Sequence, residues 1–304
     1  MCLTNPHSIA GNHAPRALAT SIPSYPLLGA LQAGTLWNHN EEIPISFMPR
    51  SGTESTDQQR KKTKMLFEEI FRHTNLSLLW LNDGDGIVRI AFNDETLSQS
   101  QVRTKCRDVS QNKWTINLKS IMPDNDCPSP NERHTINHEC MHLLAFVHEH
   151  QVPEWPSHFS FNRHKVIKAY GGDESKGGIP HWQIESNIMT PYTPEKLENY
   201  SPFDRKSVLL YQFSGDVMQN GLGTPFNPDL SDIDKAVLVL NYPRLNPGPL
   251  VPRWTVSYAA DVIGIKGESR EKIVAATHPH DVRRLYSEWS KRSQRFQQGE
   301  VIEA

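Results

Sequence analysis

The segment His138-Glu139-Cys140-Met141-His142 carries two histidines four residues apart, with a glutamate beside the first. On a helix this spacing projects both imidazoles from one face, one turn apart, where they can share an ion. Two neutral imidazoles suit Zn²⁺. The glutamate then stands where it can take a proton from the water that attacks a peptide carbonyl, rather than binding the ion itself. A catalytic zinc needs a third protein ligand and an open position, and His148, six residues beyond His142, supplies the third. Continued as helix, the chain would carry His148 about 240° around the axis from His142. The helix must therefore end near Ala145 in a sharp turn that returns His148 to the ion.

The elements that would hold these residues are legible on either side. Ser129, Pro130 and Glu132 form a helix start: a serine cap, proline at the first position and a glutamate closing the capping box. Ile136, Cys140, Leu143 and Leu144 fall on one face of the helix that follows, so that face packs on a sheet and the opposite one is free for chemistry. Cys140, two residues from His138, points to a different face and is a core residue rather than a ligand. Upstream, Ile43 to Phe47 alternates as a strand, and Thr56 with Gln59 caps a helix running to about His73. Leu76 to Leu81 and Ile87 to Phe92 read as two strands about the Asp-Gly-Asp-Gly turn at 83–86, and Trp114 to Leu118 as a further strand. Downstream, a short helix spans Asn162 to Tyr170, and Ser231 with Asp234 caps a helix ending before Pro243.

The segment HECMHLLAFVHEH, residues 138–150, resembles the astacin-like metzincins, whose pattern HExxHxxGFxHE it matches at every fixed position except Ala145, where that family has glycine. The resemblance, of a microbial or fungal type, extends more loosely through TLWNHN, VRIAF and WTINL and covers roughly residues 35–243. It implies an α+β, zincin-like fold of two lobes: an upper twisted mixed sheet with a backing helix and the active-site helix, and an irregular lower lobe. It also implies a zinc endopeptidase with His138, His142 and His148 as ligands and Glu139 as general base. A methionine-containing turn followed by a tyrosine lies beneath the metal in this family. Of two candidate segments, SNIMTPY (Met189, Tyr192) and SVLLY (Ser207 to Tyr211), the second keeps the family frame, with Leu209 in place of methionine and Tyr211 as donor to the oxyanion. Glu149 matches a family glutamate that braces the site, and WTINL would be the edge strand along which an extended substrate lies.

With 32 basic and 34 acidic residues in 304, the formal charge is -2, which points neither to nucleic acid nor to an anionic membrane; a protein or peptide substrate is the expected partner. No apolar run approaches the roughly 20 residues of a membrane span. Residues 1–34 read as a loosely held leader without a secretory signal, which makes a cytoplasmic location the expectation and a secreted one the alternative. Of Cys2, Cys106, Cys127 and Cys140, a Cys106 to Cys127 bridge is the one disulfide weighed, with reduced thiols preferred. Arg60, Lys61, Lys62 and Lys64 read as a solvated helix face, and His150 as exposed. Trp155 and Trp182 could line the cleft or pack the lower lobe. Residues 244–252 look like a linker, and 253–304 like a small helical appendage outside the family pattern, broken at Gly264, Gly267 and Pro279. The rival reading is a metzincin-like zinc-binding protein without turnover, motivated by Ala145 and Leu209.

Overall fold

The computed structural model describes residues 31–297 apart from 33, 35, 49–54, 83–84, 93–97, 101–102, 120, 154–158, 172–179 and 247–252. A five-stranded sheet forms the upper lobe: β2 (Glu42–Phe47), β3 (Ser77–Trp80), β4 (Val88–Ala91), β5 (Gln99–Ser100) and β6 (Ile116–Asn117), in the order β3-β2-β4-β6-β5. The first four in that order are parallel, and β5 closes one edge antiparallel to β6. A separate pair joins β1 (Leu31–Gln32) to β7 (Leu197–Asn199).

Two sequence expectations change here. The segments flanking the Asp-Gly-Asp-Gly stretch do not form a hairpin. Ile45 lies opposite both Trp80 and Val88, so the chain passes from one side of β2 to the other while keeping its direction. Alternating apolar residues identify the strands but not this crossover, because both flanking strands bury against the same central one. Nor is WTINL the sheet edge. Ile116 and Asn117 are buried, and the two-residue β5 covers them.

Helix α1 (Asp57–Phe71) opens with the expected capping box between Thr56 and Gln59 and buries Leu66, Phe67 and Ile70. Helix α2 (Pro130–Leu143) opens with the Ser129 and Glu132 box and packs Ile136, Cys140, Leu143 and Leu144 into the same core as Ile43, Ile45 and Leu66. The basic stretch of α1 is not wholly solvated. Lys62 is fully buried, 2.6 Å from the Glu132 carboxylate and 2.8 Å from the Met122 carbonyl. It sits on the face of α1 that meets α2, and its stem fills the interface while its ammonium answers a buried carboxylate.

The lower lobe has a core of its own, including Val152, Val166, Ile184, Leu210 and Phe213. It is built from α3 (Arg163–Tyr170), one turn of helix at His181–Ile184 that widens into a π-helical turn over Glu185–Met189, and the loops around them. Trp182 is 66% exposed, while Trp155 lies outside the described residues. The closing helix α4 (Asp232–Asn241) carries the Ser231 and Asp234 box. Helices α5 (Val256–Ile263), α6 (Gly267–Ala275) and α7 (Pro279–Gln297) follow, the first ending on Gly264 in the left-handed conformation. Ile263, Ile265, Ile273, Val282 and Tyr286 are buried in the upper-lobe core. Arg283 of α7 donates to the Asn241 carbonyl at 2.6 Å, and Ser290 Oγ accepts from Tyr200 N and donates to Tyr200 O. Cys106 and Cys140 are buried thiols outside any disulfide, whereas Cys127 is disulfide-bonded. The Cys106 to Cys127 pairing is thereby excluded, and so is the reading of all four cysteines as reduced. Among the described residues no helix is long and apolar enough to cross a membrane.

Candidate metal centre

The end of α2 shows how the third histidine is returned. Phe146 N donates to Met141 O at 3.1 Å and Ala145 N to His142 O at 2.9 Å, the paired bonds of a Schellman motif, with Ala145 in the left-handed position at φ 76°. The last helical carbonyls, which a helix leaves unsatisfied, are taken by buried side chains: Trp37 Nε1 donates to Leu143 O at 2.8 Å and the Tyr242 hydroxyl to Leu144 O at 2.9 Å. The chain then reverses, and His148 faces the two helix histidines.

His138, His142 and His148 meet through their Nε2 atoms, separated by 3.0, 3.2 and 3.2 Å. His138 Nδ1 lies 3.0 Å from Val208 O and His142 Nδ1 2.7 Å from Phe146 O. A carbonyl only accepts, so in the neutral ring the proton sits on Nδ1 and the Nε2 of each bears a lone pair. Two lone pairs facing each other at 3.0 Å repel unless a cation lies between them. Burial, reinforced by the neighbouring imidazoles, drives the pKa of His138 and His148 well below the ordinary value, which keeps them in the form a metal binds. A tetrahedral ion with nitrogen bonds of about 2.0–2.1 Å needs ligand atoms about 3.3–3.4 Å apart, close to the spacing here. The three histidines are therefore able to hold one metal ion.

Glu139 is buried beside them, and its Oε2 has no hydrogen-bond partner among the described residues. Burial pushes this carboxyl up to about 8. A buried carboxyl oxygen left without a partner is costly to ionise, and a group so perturbed beside three converging histidines marks a functional site. The partly exposed Tyr211 packs its ring 4.2 Å from that of His148 and 5.8 Å from that of His138, centroid to centroid. Burial, then the Glu139 carboxylate and Tyr170, raise its pKa, so it stays a protonated donor. Tyr192 instead packs with Val147, Leu197 and Tyr200.

The turn at 207–210 is fixed from behind. Leu209 is buried, Asp234 accepts from Ser207 Oγ at 2.8 Å and Val208 N at 2.9 Å, and Leu209 O accepts from Glu149 N at 3.1 Å. Asp234 thus does more than cap α4: it holds the residue whose carbonyl orients His138. Burial, then the nearby Asp204, raise its pKa to about 6. Glu149 is buried and accepts from Asp204 N at 2.6 Å, tying the residue after His148 to the approach to the turn.

His150 was expected to be exposed and is 1% exposed. Its ring stacks on His148 at 5.1 Å and 18° and lies 4.6 Å from Tyr211 and 5.1 Å from Phe213. The reversal after Ala145 turns residues 148–151 into the lobe interface, where a polar ring packs against aromatic faces; burial lowers its pKa to about 3. His134, not singled out in the sequence, also belongs to this neighbourhood, with its ring 5.4 Å from that of His138. Its position four residues before His138 repeats the spacing that identified the pair.

A parallel-rich sheet over a helix that ends in a sharp turn, with three histidines meeting beneath it, is a metzincin-type fold. Among solved structures the chain is similar to myroilysin. One structure shares 24% identity at a TM-score of 0.60 over 71% of this chain and 99% of that one. A second shares 23% at 0.52, over 77% and 98%. High choriolytic enzyme 1, a hatching enzyme zinc-protease from the medaka fish Oryzias latipes, matches at 14% identity and a TM-score of 0.46, over 71% of this chain and 98% of that one. No family model and no curated protein matches the sequence.

Proposed function

We propose that this protein is a zinc-dependent endopeptidase, with His138, His142 and His148 as zinc ligands, Glu139 as general base and then general acid, and Tyr211 as donor to the oxyanion. The observation that carries the reading is the meeting of three buried Nε2 atoms beside a buried carboxyl oxygen that has no partner among the described residues. Zinc held there would supply Lewis acidity, lowering the pKa of water to about 7 and polarising the scissile carbonyl. Glu139 would receive the proton of the attacking water on its unpartnered oxygen and deliver it to the leaving amine. Tyr211, a donor on the His148 side, would meet the charge that develops on the carbonyl oxygen. The Val208 and Phe146 carbonyls would hold two ligand rings in their metal-binding tautomer. The disulfide at Cys127 supports an oxidising compartment rather than the cytoplasm.

Bound metal and hydrolysis of casein and of a diverse peptide library test the proposal. Glu139→Gln should keep stoichiometric zinc and lose roughly 10²–10⁴ in rate. Tyr211→Phe should lower kcat by roughly 10²–10³ with a smaller change in KM. Equal cleavage by wild type and Glu139→Gln would defeat the mechanism, and stoichiometric zinc without any cleavage would mark a binding protein.

A further inference from the structure

We propose that His134 and Phe226 form a subsite beside the metal cluster that selects a substrate side chain carrying an O–H or N–H donor; this rests on the endopeptidase reading. His134 lies one turn before His138, so α2 presents imidazoles at 134, 138 and 142 along one face. Its ring is 5.4 Å from His138 and 5.2 Å from Phe226. The Asn227 carbonyl stands 2.8 Å from His134 Nδ1, and because a carbonyl only accepts, the neutral ring keeps its proton there and presents a lone pair at Nε2. Carbonyls fix His138 and His142 in the same tautomer, but His134 is not one of the three rings whose Nε2 atoms converge. The side chain is partly exposed, and the Asn227 carbonyl is its one polar partner among the described residues.

The loop that carries Phe226 and Asn227 is fastened at three further points. Asn137 Nδ2 donates to Pro228 O at 3.0 Å, Arg133 Nε to Asp229 at 2.7 Å, and Asn227 Nδ2 to Ser207 O at 3.0 Å, in the turn beneath the metal site. The ring is therefore held in direction from both sides, with an acceptor left over next to the reacting centre. A preorganised acceptor favours a substrate group that donates and discriminates against an isosteric group that cannot. Water reaches this position, so the discrimination should be that of one ordinary hydrogen bond, about two- to tenfold.

Threonine and valine are the isosteric pair that isolates the effect. Peptides with either residue at each position flanking the scissile bond would be compared at pH 8 in two ways. One is kcat/KM for wild type and His134→Phe, which keeps a ring against Phe226. The other is Kd by calorimetry for zinc-loaded Glu139→Gln protein with and without His134→Phe. One position should favour threonine about two- to tenfold in both measurements, falling to about one in His134→Phe, with zinc content unchanged. Identical ratios in the two proteins, absence of binding of either peptide to the Glu139→Gln protein, or loss of zinc in His134→Phe would overturn the subsite. A wild type that cleaves nothing, while the Kd preference depends on His134, would uphold the subsite and remove the peptidase reading.

Discussion

Ala145 holds φ 76° at the residue on which the return of His148 depends. The left-handed conformation costs alanine roughly 1–2 kcal/mol, and glycine would remove that cost. Glycine would also forfeit about 0.4–1 kcal/mol through the entropy of the unfolded chain and up to about 0.8 kcal/mol for the buried methyl. These terms nearly cancel, so Ala145→Gly should lie within about 1 kcal/mol of wild type in chemical denaturation and retain its metal. Ala145→Val should behave differently, because a β-branched side chain has no comfortable left-handed conformation. A loss of about 2 kcal/mol or more, together with bound metal, is expected; full metal occupancy in this variant would show that His148 does not depend on the turn.

At the scale of elements, the contact between α1 and α2 turns on one buried pair. Burial pushes the Glu132 carboxyl up, but hydrogen bonds from Lys62, Ser129 and Met122 outweigh it and hold the group below its usual range. Removing one partner of a buried pair leaves an uncompensated charge, so Lys62→Met should cost about 3–5 kcal/mol. Lys62→Met with Glu132→Gln should recover more than half, since glutamine still closes a capping box; equal denaturation midpoints for the single and double variants would refute the pairing. The same pair marks the limit of what sequence reveals. Capping boxes at Thr56, Ser129 and Ser231 and the apolar face of α2 are local patterns, and all are present as read. Lys62, His150, Asp234 and the crossing of the chain over β2 depend on which distant segment packs against them. A lysine within a basic run and a histidine after a ligand carry no local mark of burial, and only an i-4 spacing, applied once more, would have picked out His134.

For the whole molecule, the buried residues of α5, α6 and α7 share one core with β2 and α2, which makes the junction between these helices and the sheet lobe part of global stability. Two histidines sit at that junction. His39 lies between Asn75 and Arg283 of α7, and His73, at the end of α1, meets Trp254 edge-on at 5.5 Å, its buried Nδ1 without a partner among the described residues. Burial lowers both to about 4, assisted by Arg283 and His280 at His39, and by Lys235 and Arg72 at His73. Their unfolded value is 6.5, so between pH 6.5 and 4 the unfolded chain binds more protons than the folded one. Stability from these groups is complete above pH 6.5 and is lost as the pH falls toward 4. Full burial would make each shift worth about 3 kcal/mol, but both groups are partly exposed, and screening reduces this to about 1–2 kcal/mol each. Urea denaturation of metal-loaded protein between pH 7 and 4.5 should therefore show the double variant His39→Gln, His73→Phe losing about 2–4 kcal/mol less than wild type. Because the metal-site histidines are common to both proteins, their protonation cancels in the difference. Parallel stability curves would mean that acid acts elsewhere, whereas converging curves would place the acid-sensitive contact where the C-terminal helices meet the sheet lobe.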